Sequence, residues 1–247
     1  MDVETEKALK FKKSRIISKV LSPALRLWLR SQVERIEALQ FNIVGSDREI
    51  LTGHIPSVSI AASGAVYQGL HFSKIQLEGT SIHVNLSQVL KGKPLRLLEP
   101  VPVVGQLLLQ EKDLQASLQA PLLSNAVTEF LGALLTSDEI TNLDNDLKNR
   151  QLSFSWQEIA IDTAQLTLSG TLLDGGLGTT PIVIRAGLQL ASPHDLLLNP
   201  FQIQMSPASP PRNLDGFQVD LGSDVDLQEL TLTPGELMCR GRLKVIP

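Results

Sequence analysis

Apolar residues recur along this chain with two different periods. In residues 81–87, Ile82, Val84 and Leu86 alternate with Ser81, His83, Asn85 and Ser87, the period of a strand with one buried face. The same alternation predicts strands at Phe41–Val44, Val58–Val66 and Lys74–Leu77. In the second half it predicts Leu152–Ile161, Gln165–Leu172, Ile182–Leu190, Leu196–Met205, Phe217–Leu221, Val225–Leu232 and Leu237–Val245. Connections holding Gly45, Gly53, Pro56, Gly69 and Gly79, then Asp174–Gly178 and Ser206–Pro211, are too short for helical crossovers and favour antiparallel pairing. Pro100 and Pro102 hold Leu98–Val103 extended, and Gly105 bends the chain before Leu107–Leu109.

The helical period appears in two places. Residues 4–21 read as a basic helix, and Ser22-Pro23 supplies a cap and first-turn proline for a continuation. Ile17, Val20, Leu21, Ala24, Leu25, Trp28, Gln32, Val33 and Ile36 form one stripe, which predicts a helix of about 35 residues hinged at Pro23. In residues 111–135, Asp113 is a candidate N-cap and Pro121 opens a further helix. Leu114, Leu118, Leu122, Ala126, Val127, Phe130, Leu131 and Leu134 recur at helical spacing, although Leu114, Ala116, Leu118 and Ala120 also suit a strand. The fold expected is α+β, a long curved antiparallel sheet wrapped around a long N-terminal amphipathic helix. Residues 1–22 would form a basic lead helix and residues 23–247 a single domain.

Composition narrows the function. Hydrophobic residues make up 43% of the 247 and charged residues 19%, the balance of a globular chain. Aromatics at 4% leave the interior to Leu, Ile and Val and argue against a base-stacking nucleic-acid surface. Residues 1–30 carry eight Lys or Arg and three acidic residues, so with a net charge of −4 the +5 of this segment leaves −9 for the rest. Lys7, Lys10, Lys12, Lys13, Arg15 and Lys19 are therefore the expected contacts to an anionic membrane surface. Arg26 and Arg30 interrupt the most apolar N-terminal run, which excludes a spanning helix or signal peptide there and places the chain in the cytoplasm or on a membrane facing it.

Reactive motifs are lacking. Cys239 is alone, so neither a disulfide nor a zinc cluster is expected. His54, His71, His83 and His194 fall singly on separate segments, without the paired spacing of a metal helix. Asp174-Gly175-Gly176-Leu177-Gly178 lacks the spacing of a nucleotide loop and reads as a hairpin turn, and Lys91-Gly92-Lys93-Pro94 lacks the upstream glycine and hydroxyl of a P-loop. The acidic run Asp138, Glu139, Asp144 and Asp146 lacks the glycine and final glutamate of a calcium loop. No nucleophile elbow is present. No catalytic residue, cofactor or metal is expected.

Three segments do carry a resemblance: Gly69-Leu70-His71-Phe72-Ser73-Lys74-Ile75-Gln76-Leu77-Glu78-Gly79, Ile82-His83-Val84-Asn85, and Glu111-Lys112-Asp113-Leu114-Gln115-Ala116-Ser117-Leu118. Together they resemble the LmeA-like bacterial family of phospholipid-binding proteins, in particular its cyanobacterial members, from about residue 16 to the end. Where that family usually has Asp-Leu-Asn, this chain has Asp113-Leu114-Gln115. The missing export signal is a second departure. The resemblance implies a fold similar to the tubular lipid-binding superfamily, with acyl chains held between sheet and helix.

The function expected is non-catalytic binding or transfer of phospholipid or another acyl lipid by a protein peripheral to the inner or thylakoid membrane. The alternatives are a membrane-associated scaffold without lipid cargo and an enzyme acting on lipid or glycolipid. An apolar groove is expected between the sheet and the helices at residues 24–38 and 121–135. Its lining would be Val58, Ile60, Ile75, Leu77, Ile82, Val84, Leu166, Leu168, Ile182 and Ile184. Alternation alone leaves open whether these side chains line a groove or fill a core.

Overall fold

The computed structural model describes residues 17–136, 152–174, 178–206, 208, 210–214 and 216–247. The basic lead from Lys7 to Arg15 and the acidic run 138–146 lie outside them.

Two antiparallel sheets carry the chain. A π-helical turn, Ile17–Leu21, leads into α1 (Ser22–Gln32), followed by β1 (Ala38–Val44), α2 (Asp47–Leu51), β2 (His54–Tyr67), β3 (Leu70–His83), α3 (Leu86–Val89) and β4 (Val101–Gln110). Next come α4 (Glu111–Ser117), α5 (Pro121–Thr136), β5 (Leu152–Asp162), β6 (Gln165–Asp174), β7 (Gly178–Ser192), β8 (Asp195–Gln204), β9 (Arg212–Asn213) and β10 (Phe217–Asp220). β11 (Val225–Thr233) and β12 (Glu236–Val245) then return to the first sheet, whose order is β1-β2-β3-β4-β12-β11. The second sheet runs β10-β8-β7-β6-β5, with β9 paired to β8. Thus everything from α4 to β10 is inserted between two neighbouring strands of the first sheet.

The antiparallel α+β expectation holds, but the long N-terminal helix does not. α1 has 11 residues. After Gln32 the chain turns extended at Val33, where φ is −123° and ψ 148°. The Glu34 N–H donates to Val66 O at 2.9 Å, and the Val66 N–H donates to Arg35 O at 2.9 Å. A longer helix would leave the polar groups at this end of β2 unpaired, a cost that outweighs the helical spacing of Val33 and Ile36. Nor does one sheet wrap one helix, for each sheet carries its own helical cover.

Under α1 lies the first core: Leu21 and Leu25 from the N-terminal helical segments, Ile43, Ile50, Ile55, Val58, Ile82, Val84, Leu86, Leu95, Val101 and Val103. Under α4 and α5 lies the second, with Leu118, Leu131, Trp156, Ile159, Ile182, Ile184, Leu198, Phe201 and Ile203. Pro121 opens α5 as its fixed φ suits a first helical turn. Asp113, expected as an N-cap, instead sits at the third helical position of a capping box, its carboxylate accepting the Gln110 N–H at 2.9 Å. Ser46 and Glu49 form a second capping box that starts α2.

Candidate functional site

On β4 of the first sheet, Val103, Gly105, Leu107 and Leu109 share one face, because side chains alternate along a strand. Register carries that face across the neighbouring strands. One row runs Ile43, Val58, Gly79, Val103, Leu243; the next runs Phe41, Ile60, Leu77, Gly105, Gly241; the third runs Leu39, Ala62, Ile75, Leu107, Cys239. α1 closes over the first row, where Ile43, Val58 and Val103 are buried. Phe41, Ile60 and Leu77 in the second row pack against the edge of this core and remain half-buried. The third row belongs to neither core, and its five side chains are half-buried too.

Because α1 stops at Gln32, the second and third rows form an apolar strip that the helix does not roof over. Gly105 shapes it: a Cβ there would meet Leu77 Cδ2 at 2.7 Å, so the Leu77 side chain lies down in the space the glycine leaves. Arg26 of α1 stands over the Phe41 ring, 5.5 Å from its centroid, putting a cation where helix and strip meet. Burial pushes the Cys239 thiol above its ordinary value, as expected for a group amid aliphatic neighbours. Four spacings of about 4.8 Å separate β1 from β12, so a row extends roughly 19 Å, about the length of a long extended acyl chain.

The expected lipid-lining residues divide three ways. Val58, Ile82 and Val84 fill the closed core under α1, whereas Ile182 and Ile184 fill the one under α5, with Leu168 packed at its margin. Leu166 is half-buried on the second sheet, and Ile60, Ile75 and Leu77 lie together on the strip. The helices at residues 24–32 and 121–136 cover different sheets, so no groove between them unites the set. Leu39, Phe41, Leu107 and Cys239 escaped the sequence reading, since only the pairing of β4 with β12 brings the last two into the same row. Lys19 is exposed.

Two cavities flank these elements. One, of about 650 Å³, lies against the first sheet, lined by Gln40, Asn42, Ser59, Gln76, Glu78, Gln106 and Arg240 together with Phe41, Ile60, Ala61, Leu77, Val104 and Gly105. The other, of about 720 Å³, opens at the end of the sheet near α3 and is lined by Trp28, Gln32, Asn85, Gln88, Arg96, Leu97, Leu98, Ile246 and Pro247. The histidines are not all apart: His54 and His83 face each other across β2 and β3, ring centroids 4.9 Å apart. His83 Nδ1 lies 3.4 Å from Glu99 Oε2. Among the described residues, no group of three or more His, Cys, Asp or Glu is arranged to hold a metal ion.

The second and third rows thus present an apolar sheet face beside a short amphipathic helix. The family comparison is specific: a model described as LmeA-like phospholipid-binding matches residues 12–242, and the chain belongs to that family. No curated protein and no solved structure matches the chain. Among the described residues, no helix is long and apolar enough to cross a membrane.

Proposed function

We infer that the protein binds phospholipid without transforming it, laying acyl chains along the apolar strip of the first sheet. The observation carrying this reading is the in-register row Leu39, Ala62, Ile75, Leu107 and Cys239, aliphatic and half-buried yet part of neither core, in a member of a phospholipid-binding family. Each methylene laid against it gains at most about 0.8 kcal/mol, so a long chain is retained by length rather than by any one contact. Of the residues expected from sequence, Ile60, Ile75 and Leu77 take this role. The two buried sets stabilise the fold. Association with the bilayer is peripheral, and the basic residues Lys7, Lys10, Lys12, Lys13, Arg15 and Lys19 contribute electrostatic attraction to it.

Native mass spectrometry of purified protein, before and after incubation with mixed phospholipid vesicles, tests this directly. A bound phospholipid is expected, accompanied by slower alkylation of Cys239, the single cysteine of the chain. Absence of lipid in both samples would leave the scaffold reading, and turnover of a labelled phospholipid would replace binding with catalysis.

A further inference from the structure

The connector between β3 and β4 is held with unusual firmness for an exposed loop. Asn85, itself buried, donates its side-chain amide to Pro94 O at 3.0 Å and accepts the Arg96 N–H at 2.8 Å. The backbone closes the same loop from inside, with the Lys93 N–H donating to Gln88 O at 3.0 Å. Leu86 and Leu95 anchor its two ends in the first core. Between those anchors Leu90, Lys91, Gly92, Lys93 and Pro94 are all exposed, Leu90 by 53%. A leucine held outward between two core anchors gains nothing from the fold.

The surroundings share this character. Gln88 and Arg96, at the two sides of the loop, line the 720 Å³ cavity, whose rim also carries Leu98, 59% exposed, and Ile246, 63% exposed. Residues 86–98 contain Lys91, Lys93 and Arg96 and no acidic residue, on a chain of net charge −4, and the next residue, the exposed Glu99, lies against His83. None of these three cations forms an ion pair among the described residues, unlike Arg240 and Arg242, which lie against Glu229 and Asp226. Protruding apolar side chains ringed by unpaired cations complement an anionic bilayer, whose acyl region takes the leucines while lipid phosphates meet the lysines.

Resting on the phospholipid-binding reading, we propose that this end of the first sheet is the surface that docks on anionic membranes, with Leu90, Leu98 and Ile246 entering the interface and Arg96 receiving a lipid phosphate at the cavity. Cosedimentation of the full chain with phosphatidylglycerol-containing and pure phosphatidylcholine vesicles tests it. Wild type should favour the anionic vesicles, and Leu90→Glu and the double variant K91E/K93E should each weaken that binding at least tenfold. Arg96→Gln should narrow the preference for the anionic vesicles. Leu173→Glu, which alters an exposed leucine of the second sheet, should bind as wild type does. Wild-type binding by the loop variants would overturn the proposal even if native mass spectrometry shows bound lipid. So would loss of binding only when Lys7, Lys10, Lys12 and Lys13 are replaced by Gln. Absence of bound lipid in the wild type would overturn the underlying reading instead.

Discussion

Ile184 and Ile75 illustrate how one alternating pattern serves two purposes. Ile184 lies buried beneath α5, so Ile184→Glu should prevent folding, because an unpaired carboxylate there costs several kcal/mol of desolvation. Ile75 is half-buried on the strip, and Ile75→Glu should leave a cooperative melt intact while reducing lipid carried in native mass spectra. If both variants melt like the wild type, the assignment of core and strip is wrong. Cys239 reports on the same face. Its raised folded value, caused by burial, contributes stability that is complete below the ordinary thiol value near 9 and lost as pH climbs through the raised one. Iodoacetamide labelling of the native protein should therefore begin at higher pH than labelling of the same protein in urea; coincident profiles would contradict this. Glu49 behaves oppositely. Hydrogen bonds from the Ser46 backbone and side chain lower its value, so acid titration should release the α2 cap only below the ordinary carboxylate range, readable by NMR.

α4 is the element that ties the two sheets together. One side of it serves β3, where the His71 N–H donates to Ser117 Oγ at 2.8 Å and Ser73 bonds Asp113. The other serves the free edge of β5: Glu111 Oε2 accepts the Ile161 N–H at 2.8 Å, Gln115 Oε1 accepts the Ile159 N–H at 2.9 Å, and Gln115 Nε2 donates to Gln157 O at 2.7 Å. Gln119 extends the series to Trp156 O at 3.3 Å. Residues spaced by four lie on one helix face, so this edge strand meets a row of side chains where another strand would pair. Gln115→Ala should leave two backbone groups without partners and cost about 2 kcal/mol, lowering Tm by roughly 4–8 °C. An unchanged melting curve would refute that role. Gly69 shows a similar dependence on close approach: with φ at +77°, a Cβ would come within 2.8 Å of the Ala120 Cβ.

At the level of elements, alternation located β5–β8 and β10–β12 well, because period two survives wherever one face is buried, whereas it began β2 four residues late by reading the segment at Pro56 as a connection. It split β3 at Gly79, although the strand runs on through it to a left-handed Ser81, where φ is +53°. The helix α2 was missed: the Ser46 and Glu49 spacing signals its start, but its five residues are too few for a periodic stripe.

Pairing between distant strands explains what the sequence could not reveal about the whole molecule. β4 and β12 are neighbours although α4 to β10 intervenes, and no local pattern announces which strand completes a sheet. A single groove under two helices was a reasonable reading of ten similar aliphatic positions. Two sheets divide those positions because each must bury one face beneath its own helices. The strip exists because α1 is short, and it is short because residues 33–37 are engaged with the end of β2.

The returning hairpin sets the order in which this protein can mature. While the ribosome is still making the inserted second sheet, β4 presents an unpaired edge and the apolar face of β3 and β4 ends abruptly at Leu107 and Leu109. Cys239 and Leu237, the next members of those rows, emerge only after the whole inserted second sheet has been made. The nascent chain is consequently a three-or-four-stranded fragment with an adhesive margin, the state in which chaperones engage and misassembly begins. Arrested chains stalled before residue 225 should be captured by a hydrophobic dye and cleaved rapidly in β4, whereas chains released past residue 245 should resist both. Equal protease resistance of the two would mean that β4 needs no late partner. The apolar strip proposed above to hold acyl chains would then be complete only once β12 has paired with β4.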